Sequence, residues 1–598
     1  MTNRDNPKST SPSFPRIFHP PHGRTGVSDT IFAVVDNNDR HSDPQPQRSK
    51  PGPQPLEPGE PVSYIVDRRR VVLGLGFGIA TAAGMRHLPD TESAGNVVAS
   101  GAPSDNTGQS SEQTPTNEAV TEVADITVIN EVGPFDAPVF DEALRLPTDG
   151  VAEVVLTGGR IIDPETGFDR IGNIGISEGI IVEISHEPIR GVTSIDVSDR
   201  VVSPGFIDIL SYSPNGYGEW WKVADGVTAN VGMHGLRFNA ADFYQRWNTE
   251  GSPIHFGGAV HNSHIRDTLG FGPDLTVEGR EIGSISDAIE TQVRSGYLGI
   301  HAQPEYAPGV STLEMVDMGH LAARLGVPLC VHARYSDNQA PGLQSEATGE
   351  LVSVARQTGA HIHVEHLNST GGTGRMADAL AEIQAALDEG LSMSACMYPY
   401  EFWATTLRSA RFRDWQEKFG LDYSDLQVAG TDTPLTADTF QAAYDNNALT
   451  AAFAIPPGDI ELGMQSPFMM IGSDAILERS HNNHPRSTGC FSRVLGVYVR
   501  EQGLVSLVDA LAMLTIRPAN LLGLSSPAMR RKGRMQIGAD ADVTVFNPAT
   551  ISDTSTISNP AQESVGVDYV YVSGTQVRSP QGTDRSAFPG RAITSVLA

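Results

Sequence analysis

The sequence predicts an α/β chain, a (β/α)8 TIM barrel with a small flanking β-sandwich built from both ends of the folded region. Two observations carry this. Between residues 204 and 532 short apolar strands alternate with helical stretches at βα spacing, the pattern of a parallel sheet or barrel. On either side, over residues 150–203 and 533–598, short strands separated by turn residues replace that alternation. Two β-rich flanks that bracket one barrel can pair with each other and make a second layer.

The chain has 598 residues, too many for one simple domain, and 39% are hydrophobic, enough for a large core. A formal charge of −29 excludes a nucleic-acid partner, which needs a basic footprint. Charge of this size serves solubility. Cys330, Cys396 and Cys490 are widely spaced, form no CxxC motif and cannot build a disulfide framework. They read as core or near-site thiols.

Residues 1–66 are rich in Pro, Ser, Asn and Asp without apolar periodicity and read as disordered. Residues 67–90 place Arg68-Arg69-Arg70 ahead of a short Gly/Ala-rich run, which resembles a twin-arginine export signal. That run is shorter than the roughly 20 residues that span a bilayer. The expected location is the periplasm or the exterior, with membrane contact only through export or an uncleaved signal. A membrane-anchored or cytoplasmic protein is the alternative. Residues 91–149 are polar and read as a linker.

In the first flank, residues 152–157 read as a strand, Gly158-Gly159 as a turn and residues 160–163 as a second strand. A hairpin joins residues 173–176 to 180–184 through Ser177-Glu178-Gly179, and residues 194–197 and 200–202 add strands. In the second flank, residues 542–546 and 567–572 are strands.

The eight barrel strands fall near residues 205–212, 226–234, 254–262, 296–301, 327–333, 361–367, 391–397 and 468–474. Catalytic groups of such barrels stand at the C-terminal strand ends. Alternation puts Cys330, His332 and Arg334 on one face of strand five. It puts Ile362, Val364 and His366 on one face of strand six, and strand eight ends at Asp474. On strand two, Asn230, Gly232 and His234 share a face, so His234 can point inward at the strand end. Two histidines and an aspartate that each end an apolar strand are costly to bring together unless something compensates them. Three histidines plus a water is a known catalytic zinc arrangement.

Further landmarks are Arg160-Ile161-Ile162-Asp163-Pro164-Glu165-Thr166-Gly167, Ser203-Pro204-Gly205-Phe206-Ile207-Asp208 and Glu305-Tyr306-Ala307-Pro308-Gly309. Others are His366-Leu367-Asn368-Ser369, Tyr398-Pro399-Tyr400, His484-Pro485-Arg486-Ser487-Thr488-Gly489 and the closing run from Gly538 to Phe546. Together and in order, over residues 150–580, they resemble the amidohydrolase superfamily, and within it the N-acyl-D-amino-acid deacylases of the N-acyl-D-glutamate type. The resemblance implies that His332 and His366 hold one divalent metal, zinc, and that Asp474 is the catalytic acid/base. Deacylases of this group add a Cys or carboxylate ligand at the end of strand two, where this chain offers His234. The resemblance also points to Arg486 and Tyr398 as holders of the substrate carboxylate, a task suited to arginine. Arg334 is a second candidate, with Arg266 and His264 after strand three as lesser ones. Asn368 stands where related D-aminoacylases carry a lysine.

The superfamily places His-x-His directly after its Gly-Phe-Ile-Asp run, and this chain has Leu210 and Tyr212 there. The second metal position is therefore expected to be lost. A bridging carboxylated lysine is excluded, because Lys8, Lys50, Lys222, Lys418 and Lys532 all lie away from strand four. The expected function is metal-dependent hydrolysis of a non-peptide C–N bond in a small-molecule substrate, an N-acyl-D-amino acid such as N-acyl-D-glutamate. An inactive barrel that binds or scaffolds is one alternative; a cyclic-amide hydrolase is another.

Overall fold

A computed structural model describes residues 134–336, 343–479 and 483–597. The expected disordered segment, the export signal and the linker up to residue 133 lie outside the described residues.

Eight parallel strands run in sequence order around one sheet. They are Phe206–Asp208, Val227–Leu236, His255–His261, Ile300–Ala302, Leu329–Val331, Ile362–Val364, Met393–Met397 and Met469–Ile471; each overlaps a segment expected from the sequence, with the second and fourth running past their expected ends to Leu236 and Ala302. Their outward residues, among them Val331, Val364 and Ile471, pack into the helix layer. Ile209, Val231, Met233, Cys330, Cys396 and Met470 pack together in a separate cluster that fills the barrel. The helices follow ordinary rules: Ser311 caps helix Thr312–Leu325 by accepting from Glu314 N at 3.2 Å, and Gly326 ends it at φ 68°. Among the described residues no helix is long and apolar enough to cross a membrane.

Strands one and eight do not pair as neighbours in the sheet. Side chains close that seam instead. Lys222 Nζ donates to Asp208 Oδ2 (2.7 Å), Ser473 Oγ (2.7 Å) and the Ala475 carbonyl (2.8 Å), and Asp208 Oδ1 accepts from Ser473 N (3.0 Å). Lys222 and Asp208 are both fully buried.

The flanks form one nine-stranded mixed sheet. Strand Val543–Phe546 from the far end of the chain pairs antiparallel with Val201–Pro204, so the two flanks do join. Ile161, Ile174, Val202, Ile537 and Val545 share one apolar core beneath them. The expected turn at Gly158-Gly159 is instead a bulge inside a single strand, Ala152–Asp163. Gly158 takes φ 74°, and a Cβ on Gly159 would sit 2.5 Å from Val202 Cγ2. Close approach of the next strand, not chain reversal, requires these glycines.

Residues 134–149, read as the end of a linker, lie against this sheet. Phe140 N and Asp141 N both donate to the Ile537 carbonyl, and Phe135 packs edge-on to Phe168. The last residues leave the sheet and return to the barrel, where Ile593 N donates to Phe256 O at 2.8 Å. A three-stranded antiparallel insert, Trp403–Thr406, Leu426–Val428 and Leu449–Ala452, stands between barrel strands seven and eight. Its strands are too short and too irregularly buried to show a period-two pattern.

Lys222→Met leaves Asp208 buried and unpaired, so a loss of about 3–5 kcal/mol is expected in urea unfolding. Arg246→Ala, which breaks the exposed Arg246–Glu250 pair, serves as the control and should cost under about 1 kcal/mol.

Candidate metal centre

His332 arrives as alternation requires, two residues past the inward Cys330. His366 does not. Ile362 and Val364 pack outward among the helices, so continued alternation would carry His366 away from the barrel axis. The strand stops at Val364, and His366 takes a left-handed backbone with φ 31°. Its carbonyl accepts from Ser369 N and Thr370 N in the tight turn that follows. That turn, rather than the shared face expected from the sequence, delivers the imidazole. His234 likewise owes its place to an irregularity. Val231 and Met233 are the inward residues of strand two, and the register shifts between Gly232 and Leu236. Gly235 follows at φ 84°, where a Cβ would meet His301 and His261 within 3.0 Å.

The three rings converge. His332 Nδ1 lies 3.0 Å from His366 Nε2, and one nitrogen from each of His234, His332 and His366 falls within 4.8 Å of the others. Each ring is held at its other nitrogen. His332 Nε2 donates to Glu305 Oε2 (2.5 Å), His234 Nδ1 donates to Glu365 Oε2 (2.6 Å), and His366 Nδ1 meets Thr370 Oγ1 (3.3 Å). Carboxylates only accept, so those two bonds fix the tautomers of His332 and His234. Imidazoles oriented in this way suit a divalent ion. Burial pushes the pKa values of His332 and His366 down, which keeps both rings neutral. At His234 burial acts the same way, but Glu365 outweighs it and raises the pKa.

Asp474 completes the group, with φ 48° and its backbone N donating to the Leu210 carbonyl at 2.5 Å. Its Oδ2 accepts from Arg486 Nη2 at 2.7 Å, while Oδ1 is buried without a hydrogen-bond partner. Burial alone would raise this carboxyl; Arg486 and then the three histidines outweigh it and hold the pKa below the usual aspartate value. The pocket above is lined by Tyr212, Tyr306 and Tyr398, by the histidines and Asp474, and by Trp403 and Arg411 from the insert.

The remaining expected residues divide. Tyr398 lines the pocket, with the Arg486 guanidinium 4.2 Å over its ring. Arg486 is not an open carboxylate clamp: it is buried and bonded to Asp474, with only Nη1 left without a partner. Arg334 does not line that pocket; it grips Glu350 through two nitrogens and the Val310 carbonyl through a third. Asn368 Nδ2 donates to the Tyr398 carbonyl, so it braces strand seven rather than facing the pocket. Arg266 is buried against Glu314. Leu210 fills the floor of strand one, and a Cβ on Gly472 would stand 2.4 Å from its Cβ.

Sequence reasoning missed Glu305, Glu365, His301 and Arg411. Glu365 and His301 sit with His234 in a second cluster, His301 Nδ1 donating to Glu365 Oε1 at 3.0 Å. The alternation Ile362-His363-Val364-Glu365 was the available signal, because apolar residues on the other face leave Glu365 pointing inward. Arg411 had no signal; the fold of the insert carries it to Glu305 at 2.9 Å.

Residues 458–578 match the amidohydrolase family. The chain is 27% identical over 484 residues to an N-acyl-D-glutamate deacylase of Alcaligenes xylosoxydans xylosoxydans, covering 74% of this chain and 96% of that one. Its fold matches the N-acyl-D-glutamate deacylase of Bordetella bronchiseptica, solved with zinc and a phosphonate mimic of the tetrahedral intermediate. That match has a TM-score of 0.64 at 23% identity and covers 74% of this chain and all of the other. It also matches, at TM-score 0.64 and 22% identity over 74% of this chain and 100% of that one, a D-aminoacylase with a binuclear metal centre in which one metal activates and a second attenuates.

Glu305 has a pKa of about 2; burial opposes ionisation, but Arg411, His332 and Ser336 outweigh it. A folded value below the unfolded one stabilises the protein above about pH 4.5 and ceases to do so as pH falls through about 2. Glu305→Gln should therefore cost on the order of 3 kcal/mol at pH 7. That loss should shrink toward pH 2 in denaturant titrations run across the range.

Proposed function

Taking the chain as an amidohydrolase homologue of the N-acyl-D-amino-acid deacylases, we propose that it hydrolyses the N-acyl bond of an N-acyl-D-amino acid, N-acyl-D-glutamate or a near relative, with one zinc ion. The observation that carries this is the set of three anchored imidazoles beside the unpaired Oδ1 of Asp474. His234, His332 and His366 would hold the ion, which when bound supplies a Lewis acid that polarises the acyl carbonyl and acidifies water.

The rest is done by this chain's residues. Asp474 Oδ1 takes the proton of the attacking water as its oxygen adds to the acyl carbon. It then passes that proton to the amine nitrogen as the C–N bond breaks. Arg486 keeps Oδ2 engaged, so the carboxylate presents one defined oxygen. What supports Arg486 as a contact for the substrate carboxylate is its partner-less, buried Nη1 above Tyr398. Aromatic walls and residues of the insert line the pocket beside Asp474. Loss of the strand-one histidines fits a one-metal reading, as does the activating single metal of the D-aminoacylase. Export is part of the proposal, on the strength of Arg68-Arg69-Arg70 and the apolar run behind them.

Purified protein should carry one zinc per chain by elemental analysis, and His332→Ala should lose it. Asp474→Asn should retain the metal and lower kcat on N-acetyl-D-glutamate by about 10²–10⁴-fold. Metal-free wild-type protein after zinc loading, or hydrolysis confined to cyclic amides, would sink this reading.

A further inference from the structure

The centre of the barrel holds a carboxylate that the reaction above does not use. Glu365 follows the end of strand six and is completely buried. Several buried carboxylates here meet a full cation, Asp208 with Lys222, Glu314 with Arg266 and Glu305 with Arg411, and others, such as Asp225, meet backbone N–H and hydroxyl donors. Glu365 meets only imidazole N–H groups, His234 at 2.6 Å on one oxygen and His301 at 3.0 Å on the other. A buried carboxylate without a cation is costly, and the barrel maintains this one on three separate strands.

The bonding pattern shows what it does. His301 spends Nδ1–H on Glu365, and its Nε2 is buried with no partner. His261 lies beside it with ring centroids 4.9 Å apart and its Nδ1 also without a partner. His301 is thus a neutral donor fixed in one tautomer, and it locks the Glu365 carboxylate from behind. The other oxygen then takes the His234 Nδ1 proton and leaves Nε2 as the free lone pair.

We propose that Glu365, locked by His301, is a positioning carboxylate for His234: it selects the nitrogen that binds metal and lends negative charge to a site whose ligands are all neutral. The inference rests on the single-metal reading. Three imidazoles bring no charge to offset a divalent cation, and Glu365 supplies it one bond removed, through a ring whose basicity it raises. The competing arrangement is a second cation bound directly among His234, His301 and Glu365, whose ligand atoms lie within 4.8 Å of one another.

The test is calorimetric titration of metal-free protein with Zn²⁺, and with Co²⁺ for its visible spectrum, on wild type, Glu365→Gln, Glu365→Asp and His301→Gln. Thermal unfolding checks each fold. Glu365→Gln keeps an acceptor oxygen and removes the charge, and it should weaken binding about 10–100-fold at unchanged stoichiometry of one. Glu365→Asp should recover part of that, and His301→Gln should lose less. If Glu365→Gln does not fold, the Asp and His301 variants still order the affinities. Equal affinity in all four proteins overturns the inference while leaving the metal site intact. Two ions in wild type and one in Glu365→Gln overturns it in favour of direct ligation. No binding in wild type overturns the metal reading itself, and this inference with it.

Discussion

Lone pairs on three imidazoles can meet at one point only if each ring is prevented from turning, and that constraint organises the whole mouth of this barrel. The anchors come from different places: Glu305 follows strand four, Glu365 follows strand six and Thr370 lies in the turn after His366. Glu305 needs support of its own and receives it from Ser336 Oγ at 2.6 Å and from Arg411. Arg411 belongs to the insert and lies 4.3 Å over the Trp403 ring. The insert is therefore more than a cover. Through Arg411 and Glu305 it reaches the back of the His332 ring, so disorder in the insert would loosen that imidazole.

The seam between strands one and eight answers a second question, what strand one contributes with Leu210 and Tyr212 at its end. Leu210 offers hydrocarbon to the floor, packed against a glycine that could not carry a Cβ. Its carbonyl, however, accepts the Asp474 N–H, and Asp208 two residues earlier accepts from Ser473 N. Strand one supplies no imidazole to the cluster and acts by positioning. The backbone bond that orients Asp474 depends on no side chain at position 210, which is why that position can change without unseating the carboxylate.

The barrel was readable because its strands are apolar runs at βα spacing, and periodicity survives even when strands shrink to three residues. The joining of the two flanks was readable for the same reason. Sidedness at strand ends was not. His366 and His234 reach the site through a left-handed residue and a register shift, and neither departure is written in an alternation pattern. Alternation was right for His332, and taken one step further it would have found Glu365. The partners of Arg334 and Arg486 were unreadable for another reason: an arginine's partner is chosen by which carboxylate the fold brings near. For Arg334 that was Glu350, on a following helix, and for Arg486 it was Asp474 itself.

That last pairing sets the terms of the chemistry. Asp474 held below the ordinary aspartate range is ionised throughout the neutral range, but it is a weak base. A weak base does not deprotonate ordinary water at a useful rate, because proton transfer to it is steeply uphill. It can take a proton only from water already acidified, and a divalent ion on the neighbouring histidines is what would acidify it. In the proposed hydrolysis the same low pKa would make protonated Asp474 a strong acid toward the leaving amine. On the proposed mechanism Arg486 would thus tie the carboxylate to the histidines in function as well as in space: without a cation among the three imidazoles Asp474 would have little to do, and with one it would be poised for both transfers.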